Sequence, residues 1–219
     1  MAQQDNTHCL DSTVQLDDAY LGGERADGKA GRDSENKVPF VAAVSVDGNG
    51  HPLYVELNLV SGFMSQAIAK WAKASLMPGT CVTSDGLGCF AAVADAGCIH
   101  LPTVVGDLKL RDLPEFKWVN TVLGNLKTTL AGAFHALKYR TYREHCLVAC
   151  AYRFNRRFDL RGLLASLIVD VVRTKPIKEK RIKTHAETRF QSSVSCSSFT
   201  FTFVDSRARR AAQTQLQVA

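Results

Sequence analysis

The prediction of the fold starts from the stretch TVQLDDAYL at residues 13–21. Its β-branched and apolar residues are typical of a strand. An acidic pair, Asp17 and Asp18, lies near the end of that strand. Because an Asp at a strand end is most often a turn or cap residue, the pair alone does not define a site.

The elements on either side extend this strand into an α/β pattern. A Gly-rich charged loop, 22–37, follows it, and two apolar runs joined by DGNGHP then predict a β-hairpin. After the hairpin, the patterns predict a helix over 64–76, a strand at 81–85, a helix over 87–97 and a strand at 100–105. An irregular loop over 106–116 comes next. Three helices then follow, from Val119 to Gly132, over 139–155 and over 160–172. This order predicts an α/β fold, a ribonuclease-H-like mixed sheet flanked by helices, with extra C-terminal helices.

Three regions of the chain differ in composition. Residues 1–11 are polar and unpatterned, and we expect them to be a disordered N-terminal remnant. Residues 12–173 carry all the sustained periodicity and predict one catalytic domain. Residues 174–219 are first basic and then Ser/Thr-rich, so a poorly ordered tail is expected there.

The composition narrows the class of protein. A net charge of +6 and a pI near 9.0 give a mild indication of a polyanionic partner. Seven cysteines include no C-x-x-C pair, which argues against a zinc ribbon and favours reduced thiols. No segment approaches the roughly 18 apolar residues that span a bilayer, and the start does not resemble a signal peptide. We therefore expect a cytoplasmic protein without a membrane partner.

One constellation of polar residues points to chemistry. Asp17 is on the first strand, Asp85 ends a later strand before Gly86, and Asn120 lies near the start of a long helix. Lys127 follows Asn120 by seven residues, nearly two turns, so both lie on one helix face. Two carboxylates and an amide oxygen are hard ligands that suit Mg²⁺ or Mn²⁺.

Each of these residues also has an ordinary structural interpretation. Asp85 is in a position typical of a turn residue, Asn120 in one typical of a helix N-cap, and Lys127 in one typical of a solvated charge. For each residue taken singly, the ordinary interpretation is favoured. Only the joint occurrence of these residues in this order of elements supports a metal site.

Four stretches carry a resemblance to a known family: LDDAYLGGERADGKAGRDSENKVPFVAAV, PGTCVTSDGLGCFAAVADAGC, FKWVNTVLGNLKTTLAGAFHAL and YRFNRRFDL. Together they resemble bacterial insertion-sequence transposases of the ISXO-like family, number fifteen-ninety-five, in the DDE superfamily. The branch concerned has an Asp-Asp-Asn-Lys signature. The resemblance runs from about Val14 to about Glu187, and it matches the signature to Asp17, Asp85, Asn120 and Lys127 as catalytic residues.

The resemblance implies a function. It implies a ribonuclease-H-like fold, a divalent metal (Mg²⁺ or Mn²⁺), cleavage of DNA at the element ends and strand transfer, by a homo-oligomer assembled on DNA. Relatives carry a zinc-binding and helix-turn-helix region before the first Asp, which we do not find here. The alternatives are therefore a plain ribonuclease-H-like nuclease, or an inactive truncated remnant that binds DNA non-specifically or co-assembles with a full-length transposase.

Two groups of basic residues are candidates for DNA contact, together with Lys127. The first group lies in the loop over 22–37, and the simpler interpretation of these residues is that they are solvated loop charges. The second surrounds Asn155 at a helix end, where cations are favoured in any case. The groups are Arg25, Lys29, Arg32 and Lys37, and Arg153, Arg156 and Arg157.

Overall fold

The centre of the protein is a mixed β-sheet. The computed structural model describes residues 9–22, 37–103, 113–133 and 139–174. In these residues five strands form one sheet in the order β3-β2-β1-β4-β5. β2 is antiparallel to both β1 and β3, whereas β4 and β5 run parallel to β1. The strands are β1 (Thr13–Leu21), β2 (Val38–Val46), β3 (Pro52–Leu59), β4 (Cys81–Ser84) and β5 (Ile99–Pro102).

Helices cover both faces of this sheet, which confirms the predicted ribonuclease-H-like α/β architecture. One face packs against α1 and a 3₁₀ helix, and the other against α2 and α3. The helices in the described residues are α1 (Ser65–Ser75), α2 (Lys117–Gly132), α3 (Tyr139–Asn155) and α4 (Leu160–Arg173), with 3₁₀ helices at Gly88–Ala96 and Pro114–Phe116.

Strand β1 is buried on both faces because it lies in the middle of the sheet. Successive side chains of a strand point to opposite faces. Val14 and Leu16 accordingly belong to the core under α1, whereas Ala19 and Leu21 belong to the core under α2. The apolar stripe of α2 completes the second core with Val119, Val122, Leu123, Leu126 and Leu130.

The predicted helix over 87–97 is a 3₁₀ helix. Its hydrogen bonds span three residues, as in the bond from the Phe90 amide to the Leu87 carbonyl. Side chains three apart align in such a helix, and the buried pair Phe90 and Val93 has this spacing. Gly97 ends the helix with a φ of 78°, a left-handed conformation that favours glycine.

Leu10, which lies ahead of β1, is part of the folded core. Residues up to 11 were expected to be disordered, but Leu10 is only 1% exposed and packs in the core under α1. Its amide donates to the Ser75 carbonyl, and its own carbonyl accepts the Met77 amide. One apolar residue in a polar segment gives no periodicity, so the sequence pattern could not reveal this bridge.

Side chains at the end of α3 fasten this helix to the edge strand β3. The Asn155 amide group accepts from the Val55 N–H at 2.7 Å and donates to the Val55 carbonyl at 3.0 Å. The Asn155 side chain thus makes the two backbone hydrogen bonds that a further strand would otherwise make to Val55. The Arg157 guanidinium donates to the carbonyls of Pro52 and Leu53 in the same strand.

Helix α4 begins at a side-chain cap and exposes much of its apolar surface. The Asp159 carboxylate accepts the Gly162 amide at 2.8 Å, which satisfies a free amide of the first turn. A Cβ at position 162 would come too close to that carboxylate, so a larger residue there would require the Asp159 side chain to move. Large apolar residues of this helix, including Leu164 and Val172, are mostly exposed. The predicted tail from residue 175 onward lies outside the described residues.

Candidate active site

The pairing of β1 with β4 brings the two predicted aspartates together. Leu16 lies opposite Ser84 in the parallel ladder, and β4 ends there. The next residues along the two strands are Asp17 and Asp85. Where β4 stops, Gly86 turns the chain with a φ of 78°, and the Asp85 carboxylate accepts the Leu87 amide at 3.3 Å. Strand β1 continues past Asp17 to Leu21, so Asp17 lies beside the point where β4 ends.

Three carboxylates form a cluster at this position. Oxygen atoms of Asp17, Asp18 and Asp85 lie within 4.8 Å of one another. All three residues are buried, with exposures of 0%, 1% and 5%. The Asp18 amide also donates to the Asp17 carboxylate at 3.0 Å. The sequence singled out Asp17 and Asp85 as ligands, and Asp18 completes the cluster.

This donor set suits a divalent cation. Carboxylate oxygens are the ligands that Mg²⁺ and Mn²⁺ prefer. Like charges at this separation repel one another strongly away from water, and a bound cation offsets the repulsion. The residues present therefore fit the metal that the fold implies.

Helix α2 is anchored to β1 close to this cluster. The Gln15 side-chain oxygen accepts the amides of Trp118 and Val119 at 2.9 and 3.1 Å. The N-cap residue of α2 is Phe116, which provides no side-chain hydrogen bond. Asn120 follows directly, half-buried in the first turn. Since it lies four residues beyond the N-cap, the interpretation of Asn120 as an N-cap is wrong; its approach to the carboxylates stays a prediction.

The same end of α2 also contacts the β2–β3 hairpin. The Trp118 indole N–H donates to the Gly50 carbonyl at 2.6 Å, and the Lys117 ammonium lies 4.7 Å from the centre of the Trp118 ring. Trp118 thus links the hairpin turn to the helix. Lys127 lies seven residues beyond Asn120 on α2 and is exposed.

The predicted DNA-contacting residues differ in their surroundings. Arg25, Lys29 and Arg32 lie outside the described residues. Lys37 is only 6% exposed, which argues against a direct phosphate contact. The remaining three are at the end of α3: Arg153 is exposed, Arg156 stacks 3.7 Å from the centre of the Tyr152 ring, and Arg157 binds carbonyls of β3.

A partly buried polar pair next to Asp85 in the chain was not predicted from the sequence. The Ser84 hydroxyl lies 2.8 Å from Nε2 of His100 on the neighbouring strand β5. Partial burial lowers the pKa of His100, so the neutral ring is favoured.

The cysteines in the described part of the chain are all free thiols. Burial, together with the nearby Cys150, raises the pKa of Cys146 to about 11.

The fold and the buried acidic cluster together define a class of protein, the ribonuclease-H-like α/β proteins. Comparison with known families is more specific. The ISXO2-like transposase domain matches residues 9–155, which include all three clustered aspartates and Asn120. The chain belongs to this transposase family. No curated protein matches it, and within the described residues no helix is long and apolar enough to cross a membrane.

Proposed function

We propose that the protein is the catalytic domain of a DNA transposase, which cleaves phosphodiester bonds at insertion-sequence ends and transfers the strands to a target. The buried cluster of Asp17, Asp18 and Asp85 is the observation that carries this proposal. Membership in the ISXO2-like transposase family supports it and implies DNA as the substrate.

The metal ligands in this proposal are Asp17, Asp85 and Asn120, and they hold Mg²⁺ or Mn²⁺. A pair of such ions, when bound, activates the attacking oxygen and stabilises the leaving oxygen of a phosphodiester. Asn120 is a neutral ligand, so it completes the set without adding to the repulsion among the carboxylates. The rigid sheet keeps Asp17 and Asp85 in position, since both follow paired residues of neighbouring strands.

The DNA backbone lies, in this proposal, along the exposed face of α2 and the end of α3. Lys127 and Arg153 are exposed cations on these two helices. Cations of this kind neutralise phosphates and position a duplex without reading its sequence. The active form is a homo-oligomer on DNA in the cytoplasm, since each element has two ends to be joined to one target.

The experiment is a cleavage and strand-transfer assay on the full chain. A supercoiled plasmid carrying the terminal repeats from the flanking DNA is incubated with Mg²⁺, with Mn²⁺ or with a chelator. Wild-type protein should nick the plasmid only with metal, and Asp85→Asn should not. Asp95→Asn is the matched control, because Asp95 is exposed on the Gly88–Ala96 helix.

The outcomes separate the three functional interpretations. Nicking followed by insertion into a second plasmid supports the transposase. Nicking without insertion would make the protein a plain nuclease. If DNA is bound but stays intact with either metal, the protein is an inactive remnant and the proposal is wrong.

A further inference from the structure

Gln15 is a polar residue buried inside the central strand. Only 6% of it is exposed, although its neighbours Val14 and Leu16 are apolar core residues. It lies two residues before Asp17, so both side chains leave β1 on the same face. The Ala19 and Leu21 side chains on that face pack against α2, which identifies it as the face toward the helix.

The hydrogen bonds of Gln15 satisfy the start of α2. Counting from the N-cap Phe116, Trp118 and Val119 are the second and third helical residues. Their amides have no partner within a helix, and an N-cap side chain ordinarily binds them. Here Gln15 Oε1 accepts both, at 2.9 and 3.1 Å, from a position about a hundred residues earlier in the chain.

This arrangement connects two parts of the proposed metal site. Asn120 is the next residue after the bonded amides, and Asp17 is two residues beyond Gln15 on the strand. The Gln15 side chain is therefore a direct link between the strand that carries one ligand and the helix turn that carries another. A displacement of about 1 Å between such groups is enough to impair a catalytic site.

We propose that Gln15 is a positioning residue for the metal site, which sets the location of Asn120 relative to Asp17. The inference rests on the proposed function, because it takes Asn120 to be a ligand. Gln15 itself does not touch the metal or the DNA in this account; it acts through the first turn of α2.

The test is Mn²⁺ binding to the full chain, measured by titration calorimetry. Gln15→Met keeps the length of the side chain but removes the acceptor, and we expect it to weaken Mn²⁺ affinity by about tenfold, the lower end of the effect of supporting residues at metal sites. Gln15→Glu keeps the acceptor and adds negative charge, so its affinity should not fall. Thermal unfolding in a chelator measures any general loss of stability separately.

A double-variant comparison shows whether Gln15 acts through Asn120. Once Asn120→Ala has removed the ligand, adding Gln15→Met should cause no further loss of affinity. An equal additional loss in that background would overturn the proposal, as would wild-type affinity in Gln15→Met itself. If Gln15→Met does not fold, Gln15→Asn, whose amide is one methylene shorter, is expected to show the same loss and is judged by the same criterion.

The experiment also distinguishes this inference from the proposed function. A wild-type protein that binds no Mn²⁺ would contradict both. A wild-type protein that binds Mn²⁺ with an affinity unchanged in Gln15→Met would contradict the role of Gln15 alone.

Discussion

At the scale of single residues, burial distinguishes the three aspartates from ordinary surface carboxylates. An isolated carboxylate on a surface is solvated, whereas Asp17, Asp18 and Asp85 are all at most 5% exposed and lie within 4.8 Å of one another. Like charges placed so close destabilise the fold unless protons or a cation compensate them. The geometry of this cluster is therefore suited to a divalent cation.

Asn120 provides the sharpest test of a single ligand. We expect Asn120→Ala to reduce metal-dependent cleavage by about 100-fold or more, since a lost ligand removes several kcal/mol of transition-state stabilisation. Asn120→Asp should retain part of the activity, because a carboxylate oxygen still binds the metal. Initial cleavage rates at saturating Mn²⁺ measure both effects.

Asn125→Ala is the matched control for that substitution, because Asn125 is exposed on the same helix. It should cleave at the wild-type rate, and both variants should unfold at similar temperatures. Cleavage by Asn120→Ala at the rate of Asn125→Ala would show that Asn120 is not a ligand.

At the scale of elements, the strands and helices were largely predictable from local patterns. The β-branched and apolar residues of TVQLDDAYL and the turn residues of DGNGHP are local signals, so β1 and the hairpin were predicted nearly to the residue. The meeting of Asp17 with Asp85 was anticipated from the order of the elements and the family resemblance, and the parallel pairing of β1 with β4 produces it. The bonds of Gln15 and Asn155 could not, because their partners are about a hundred residues away.

Gln15 nevertheless left a signal in the sequence. A polar residue between Val14 and Leu16, on the same strand face as Asp17, indicates a buried partner. Asn155 and Arg157 are different: they were interpreted as part of a basic motif, whereas their contacts in the structure are with the backbone of β3.

The connection between Asn155 and β3 leads to a prediction about stability. Asn155→Ala leaves the buried Val55 amide and carbonyl without these partners, and an unsatisfied buried group costs about 1–3 kcal/mol. We expect the unfolding temperature to fall by about 4–8 °C, the shift produced by about 2 kcal/mol in a domain of this size. Asn155→Asp keeps an acceptor for the Val55 amide and should lose less. Equal unfolding temperatures for wild type and Asn155→Ala would show that the edge strand does not depend on this contact.

At the scale of the whole molecule, the net charge of +6 supports binding to DNA, but not all of its cations are available. Lys37 is buried and the Arg157 guanidinium binds carbonyls of β3, whereas Lys127 and Arg153 are exposed. The described surface therefore provides scattered cations, which is typical of sequence-independent contact with phosphates.

This distribution predicts binding that depends strongly on salt and weakly on sequence. Affinity for element-end DNA and for scrambled DNA should be similar and fall steeply as salt rises, with dissociation constants of about 10⁻⁴ to 10⁻⁶ M at physiological salt. Lys127→Ala should reduce the salt slope by about 1 for either sequence. Lys73→Ala, at an exposed position of α1 on the opposite face of the sheet, is the control. A preference of about 10³-fold for the element end would mean that the chain contains a specific DNA reader.

The central claim, that the buried aspartates form a divalent metal site, is tested most directly by thermal unfolding of wild type, Asp17→Asn and Asp95→Asn, each with a chelator and with saturating Mn²⁺. In the chelator Asp17→Asn should unfold at a higher temperature than wild type, because one of three repelling charges is gone. With Mn²⁺ at about 100 times its dissociation constant, wild type should gain about 2.7 kcal/mol and Asp17→Asn far less, so that their order inverts. The control, Asp95→Asn, should follow wild type in both conditions. If Mn²⁺ leaves the unfolding temperature of wild type unchanged, or raises that of Asp17→Asn equally, the aspartates do not form the metal site.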